Sequence, residues 1–182
     1  MPFNWPNSSD YTWHGMTVVA FDGSKYRLPA TAEIREEFDP ESGLQFPGKG
    51  HYPQCLVSTA FDVFRRLPIA RTISPIHEGN EREDVKTLLH RLPKQSQVLL
   101  FDRGYPSYDL IHHLTHAQTS HYFLFRCPAT STFKAVENFV QSGQQEADIW
   151  LDTRGVQHQL NNSKPFNCES CAWKVLMERY PF

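Results

Sequence analysis

Val98-Leu99-Leu100-Phe101-Asp102-Arg103-Gly104-Tyr105 is the stretch on which the fold turns. Its four leading residues are wholly apolar, and the run is too short for a helix. Because it lies between two helical patterns, it predicts a central strand buried on both faces. An aspartate follows directly, and then a charge, a flexible residue and an aromatic.

Upstream, Glu81 to Leu92 predicts a helix, with Val85, Leu88, Leu89 and Leu92 spaced along one buried face. Asn80 with Glu83 has the form of a capping box, and Pro93 is the expected stop. Downstream, Tyr108 to Ala117 predicts a second helix that buries Leu110, Ile111 and Leu114. Tyr122 to Phe125 reads as another short strand, and Phe133 to Val140 as a further helix.

Toward the N-terminus, Thr17 to Phe21 reads as a buried strand ended by Asp22-Gly23-Ser24, with Trp13 in the core nearby. A short helix is expected over Thr31 to Phe38, followed by a loop rich in Pro and Gly. Gln54 to Phe61, Val63 to Leu67 and Ile69 to Ile73 predict a hairpin or meander beside the first strand. Glu146 to Leu151 and Val156 to Leu160 look like exposed strands, and no pattern is legible after Asn161. Strand, hairpin strands, helix, strand, helix, strand, helix is the order of an α/β fold, one mixed sheet with helices on its faces.

The chain has 182 residues, 40% hydrophobic and 13% aromatic, which suffices for one compact domain with a real core. A net charge of -2 lacks the basic excess of a standalone nucleic-acid binder, so any DNA contact rests on local patches. No stretch approaches the ~18 apolar residues that span a bilayer. The opening Met-Pro-Phe-Asn-Trp-Pro has no signal-peptide form, so the expected location is cytoplasmic. Cys168 and Cys171 form a lone C-x-x-C without a second ligand pair, and Cys55 and Cys127 are isolated; ordinary reduced thiols are expected.

Two aspartates stand directly after apolar strands, Asp22 after Phe21 and Asp102 after Phe101. Carboxylates at the ends of adjacent central strands converge at the sheet edge on rigid supports, and two of them can share Mg2+ (or Mn2+). A pair of such ions ~3.5–4 Å apart clamps the attacking and leaving oxygens of a phosphodiester displacement. The plainer alternative is that each aspartate only caps a turn, and Asp22-Gly23 is a turn dipeptide.

Val19-Ala20-Phe21-Asp22-Gly23-Ser24 with Leu28-Pro29, Leu99 to Ser107, and Tyr122-Phe123-Leu124-Phe125-Arg126 together resemble the bacterial insertion-sequence DDE transposases of the IS-four group. The resemblance covers residues 13 to 152. It implies an RNase H-like fold and metal-dependent DNA strand cleavage and transfer at transposon ends. On this basis Asp22 is the first metal ligand and Asp102 the second. The family's third ligand is a Glu within a Tyr-x2-Arg-x3-Glu-x6-Lys pattern on a later helix, and this sequence holds no such pattern. The resemblance therefore implies a truncated catalytic domain, inactive by itself, with DNA and the full-length transposase as partners. Residues 1–16 would be a lead-in, 17–140 a partial catalytic domain, and 141–182 the start of a β-rich insertion with an irregular tail.

Glu137 is the alternative third carboxylate, which would make the chain a small complete RNase H-like nuclease; otherwise it is a solvated helix residue. A non-catalytic transposase remnant is the remaining alternative. His112 and His116 share a helix face but lack a metalloprotease pattern, and Ser24 and Ser107 lack a nucleophile elbow. Arg65, Arg66, Arg71, Arg103 and Arg126 could each touch a phosphate, although charge runs are usually solvated faces; Arg103 and Arg126 are the expected DNA contacts.

Overall fold

The computed structural model describes residues 9–39, 52–116, 121–128, 133–150 and 172–176. These residues fall into two compact units. The first holds the described parts of Met1–Phe101 and Gln118–Leu124, the second those of Asp102–Ala117 and Phe125–Phe182. In chain order the elements are β1 (Thr17–Arg27), α1 (Ala32–Phe38), β2 (Gln54–Asp62), β3 (Leu67–Pro75), α2 (Glu81–Leu89), β4 (Gln97–Phe101), α3 (Tyr108–His116), β5 (His121–Phe125), α4 (Lys134–Ser142), β6 (Glu146–Trp150) and β7 (Ala172–Leu176).

A five-stranded sheet runs in the order β3-β2-β1-β4-β5. β1 pairs antiparallel with β2 and parallel with β4, and β2 pairs antiparallel with β3. A parallel neighbour requires a long crossover; α1, the β2–β3 hairpin and α2 supply it between β1 and β4. The sheet is thus mixed and the fold α/β, consistent with the expected RNase H-like domain.

β1 does not end at Asp22-Gly23-Ser24. Asp22 to Arg27 continue as strand because they pair with Thr59 to Gln54 of β2, and cross-strand pairing overrides the turn propensity of Asp-Gly. Pairing with β4 stops at Phe21↔Phe101. Of the expected strand over Val63 to Leu67, Val63 to Arg66 are instead the turn between β2 and β3, and Leu67 begins β3. Asp62, 1% exposed, accepts from Arg65 N at 2.9 Å and from Arg65 Nη1 at 2.8 Å, and Arg66 takes a φ of 55°. That local network reverses the chain. Trp13 is 50% exposed, with its ring edge-on to His14 rather than in the core.

α2 begins at Asn80, whose side chain accepts from Arg82 N and Glu83 N at 3.1 and 3.5 Å. The Glu83 carboxylate accepts from Lys86 Nζ at 2.7 Å. The helix ends at Leu89, before Pro93. Tight turns from Arg91 N to Leu88 O and Leu92 N to Leu89 O still carry Leu92 inward, so its periodicity outlasts the helix. Val85 and Leu88 are fully buried, each contributing about 1.5–3 kcal/mol.

Two glycines let α2 settle on the sheet. A Cβ on Gly23 would stand 2.4 Å from Glu81 Cδ, and one on Gly79 would stand 2.8 Å from Leu56 Cδ2. Ser58, nearly fully buried, donates to Asp84 Oδ2 at 2.6 Å. Gly23, Leu56 and Ser58 belong to one sheet face, since Gly23 lies opposite Ser58 and Lys25 opposite Leu56. Asp22 and Ser24 therefore project from the other face. Along β4, Gln97, Leu99 and Phe101 are buried while Val98 and Leu100 are half-buried, so one face of this central strand is sealed more fully than the other.

In the second unit, Ile111 of α3 packs with Phe133 and Val136, and Tyr108, Phe125 and Cys127 lie against them. Tyr108 and Phe133 meet edge to face at 4.9 Å. α4 ends at Gly143, whose φ of 70° suits glycine. β6 and β7 form a two-stranded antiparallel sheet. β7 was not legible in the sequence, and the expected strand over Val156 to Leu160 lies outside the described residues, as do Cys168 and Cys171.

Gly79→Ala is expected to cost about 1–3 kcal/mol, because Leu56 is 3% exposed and cannot yield. Gly23→Ala is expected to cost under ~1 kcal/mol, because the end of the Glu81 side chain can swing away. Urea unfolding of both variants checks that order. His121 of β5 is half-buried, its Nδ1 meets no hydrogen-bond partner, and burial lowers its pKa from 6.5. The unfolded chain then takes up this proton before the folded one does. Stability should fall as pH drops below about 6.5, and His121→Asn should flatten that fall in melting curves.

Candidate active site

The site is organised by the parallel register of β1 and β4. Val19 lies opposite Leu99, Ala20 opposite Leu100 and Phe21 opposite Phe101. The Phe21 and Phe101 rings stack at 5.0 Å with 11° between their planes. The next residue after each phenylalanine is an aspartate, Asp22 and Asp102. Beyond this point the strands behave differently: β1 runs on against β2, whereas the β4 chain turns, with Tyr105 N donating to the Asp102 carbonyl at 3.1 Å. Asp22 is therefore the first residue of β1 without a β4 neighbour. In open α/β sheets, ligands bind outside the carboxyl ends of strands at such changes of neighbour.

Asp22 is exposed, and one of its oxygens accepts from the Ser24 hydroxyl at 3.2 Å. Ser24 is thereby a hydrogen-bond partner of the carboxylate. Asp102 is also exposed, and its Oδ1 stands 3.4 Å from Arg126 Nη1. The structure thus brings Asp102 and Arg126 together. Arg103 is exposed in the turn that follows Asp102, and Tyr105, 3% exposed, anchors that turn. Ser107 Oγ accepts from Leu110 N at 3.2 Å, capping α3.

Glu137 lies on α4, 31% exposed, with its carboxylate 2.7 Å from Lys134 Nζ. Its oxygen is held by its own helix. Arg65 is tied to Asp62 and lies over the Tyr11 ring at 5.3 Å, a structural position. Among the described residues, no group of three or more His, Cys, Asp or Glu stands together as a metal cluster. His112 lies on α3 outside any such cluster. Burial raises the pKa of the Cys127 thiol, which favours its protonated, unreactive form.

Asp22 and Asp102 are each exposed carboxylates. A carboxylate is the donor type that Mg2+ or Mn2+ takes, with one or two from the protein and the rest of the shell from water and phosphate oxygens. Sequence reasoning singled out both aspartates through the apolar runs before them, and Arg126 as a DNA contact. It did not foresee the pairing of Arg126 with Asp102, because a hydrogen bond across 24 positions has no local signal.

The family model described as Transposase DDE domain matches residues 13–165. No curated protein and no solved structure matches the chain. No helix among the described residues is long and apolar enough to cross a membrane.

An exposed pair such as Arg126–Asp102 is worth little, about 0–1 kcal/mol. A divalent cation, if Asp102 takes one, would compete with that arginine. Arg126→Ala is therefore expected to tighten Mn2+ binding by up to about fivefold, read by calorimetry. Weaker binding in this variant would contradict the competition.

Proposed function

The chain belongs to the transposase DDE domain family, and from that premise we propose that it contributes Asp22 and Asp102 to metal-dependent DNA strand cleavage and transfer at transposon ends, as in the IS-four group. One observation carries the reading. Phe21 and Phe101 are opposed in parallel register, and each is followed by a carboxylate. A transposase family implies DNA as substrate.

Bound Mg2+ (or Mn2+) would supply charge neutralisation at phosphorus and a more acidic water or 3′-hydroxyl. The protein's own part is positioning. The strand backbone fixes Asp22, and the Ser24 hydroxyl holds one of its oxygens. Arg126 holds one oxygen of Asp102 and leaves the other clear. Arg103, exposed on the turn beside Asp102, is suited to a backbone phosphate, and Arg126 can exchange its carboxylate for one.

The Tyr-x2-Arg-x3-Glu-x6-Lys pattern is not in this sequence. We therefore expect this chain to bind metal and DNA without performing strand transfer alone, and to act with full-length transposase as partner. Glu137 as third carboxylate, in a self-sufficient nuclease, would first have to leave Lys134.

Calorimetric titration with Mn2+ tests the two-aspartate site. The wild-type chain should bind, and Asp22→Ala and Asp102→Ala should each weaken binding at least about tenfold. Binding that survives either substitution would sink the shared site, and a wild-type chain that takes up no Mn2+ would remove the metal claim.

A further inference from the structure

The sheet register singles out one arginine that the site described above does not use. Asp22 lies opposite Thr59 across β1 and β2, and Thr59 lies opposite Arg71 across β2 and β3. Directly opposed residues on antiparallel neighbours project from the same face. Asp22, Thr59 and Arg71 therefore form one row, a carboxylate, a hydroxyl and a guanidinium in line. Two strand spacings separate its ends, about 10 Å between backbones. This row is on the face away from α2, which instead covers Gly23, Leu56 and Ser58.

Other arginines already have work within the fold. Arg65 is bound to Asp62, Arg35 to Asp39 and Arg126 to Asp102, while Arg27 lies over the Tyr52 ring at 5.5 Å. Arg71 is exposed, and among the described residues its guanidinium has no hydrogen-bond or ion-pair partner. Its backbone is nonetheless fixed, because the Arg71 carbonyl accepts from Arg91 Nη1 at 2.9 Å. An exposed cationic fork on a pinned strand, aligned with a carboxylate that itself draws cations, is an arrangement suited to a run of phosphates. The carboxylate handles one phosphate through a metal and the guanidinium binds a neighbour directly.

We infer that Arg71 grips a DNA backbone phosphate adjoining the one processed at Asp22, without regard to base sequence. This rests on the DNA reading given above. A single exposed arginine on an outer strand can also serve only to block edge-to-edge sheet pairing. That role would leave DNA affinity and its salt dependence unmoved.

The test is fluorescence anisotropy of the full chain with a labelled mixed-sequence DNA duplex, over about 50 to 200 mM salt. Arg71→Ala should weaken binding roughly tenfold at the low-salt end and reduce the slope of log affinity against log salt by about one. Arg71→Lys, which keeps the charge, should keep most of the slope. Arg27→Ala, on the opposite face, should change neither. An Arg71→Ala slope equal to the wild-type slope would overturn the inference alone, leaving the two-aspartate site standing on its Mn2+ titration. A wild-type chain with no affinity for the duplex would overturn the inference and the DNA reading together.

Discussion

The parallel pairing of β1 with β4 is the constraint on which the rest depends. It is short, from Thr17↔Gln97 to Phe21↔Phe101, and the stacked phenylalanines end it. Slipping it by one residue would turn every side chain of β4 to the other face, exposing Leu99 and Phe101, which are now buried. Hydrophobic burial thus fixes the register, and the register fixes the chain positions of two aspartates.

The hairpin of β2 and β3 gives the central strand its second neighbour. Its turn is closed by a charge pair, Asp62 with Arg65, that is almost wholly out of water. Breaking such a pair strands a buried charge at a cost of several kcal/mol, so the turn conformation is strongly specified. That rigidity passes along β2 to Thr59, the residue facing Asp22, and to the Ser58 hydroxyl that anchors α2 from the other face. The sheet has one side packed by the helix, where Gly23 lies, and another from which Asp22 projects.

Much of this was legible in the sequence where local pattern and tertiary context agree. The apolar run before Asp102, the helix stripe of Val85 and Leu88, and the α/β order of elements all had one physical meaning. Legibility failed where a residue served a distant partner. Asp22-Gly23 has the composition of a turn, yet pairing with Thr59 and Ser58 of β2 carries the strand straight through it. Val63 to Leu67 has strand-forming residues, but one buried carboxylate at Asp62 reverses the chain. Trp13 is apolar and large, yet it lies half-exposed at the head of β1. The pairing of Asp102 with Arg126, and the alignment of Asp22 with Arg71, exist only once strands are neighbours. No spacing along the chain encodes them.

The separation in sequence between β1 and β4 has a consequence for how the chain is made. β1 leaves the ribosome early, while the strand that seals its other edge comes only after the hairpin and α2 have been synthesised. Antiparallel neighbours close short loops and form readily; a parallel partner so far along must wait. Throughout that interval β1 has only the hairpin of β2 and β3 to pair with, which leaves its apolar edge at Val19 and Phe21 open. Such an edge is a template for wrong pairing. Slower translation just ahead of Gln97 would lengthen the exposure, so yield of folded protein should be sensitive to codon choice in that interval far more than after Phe101.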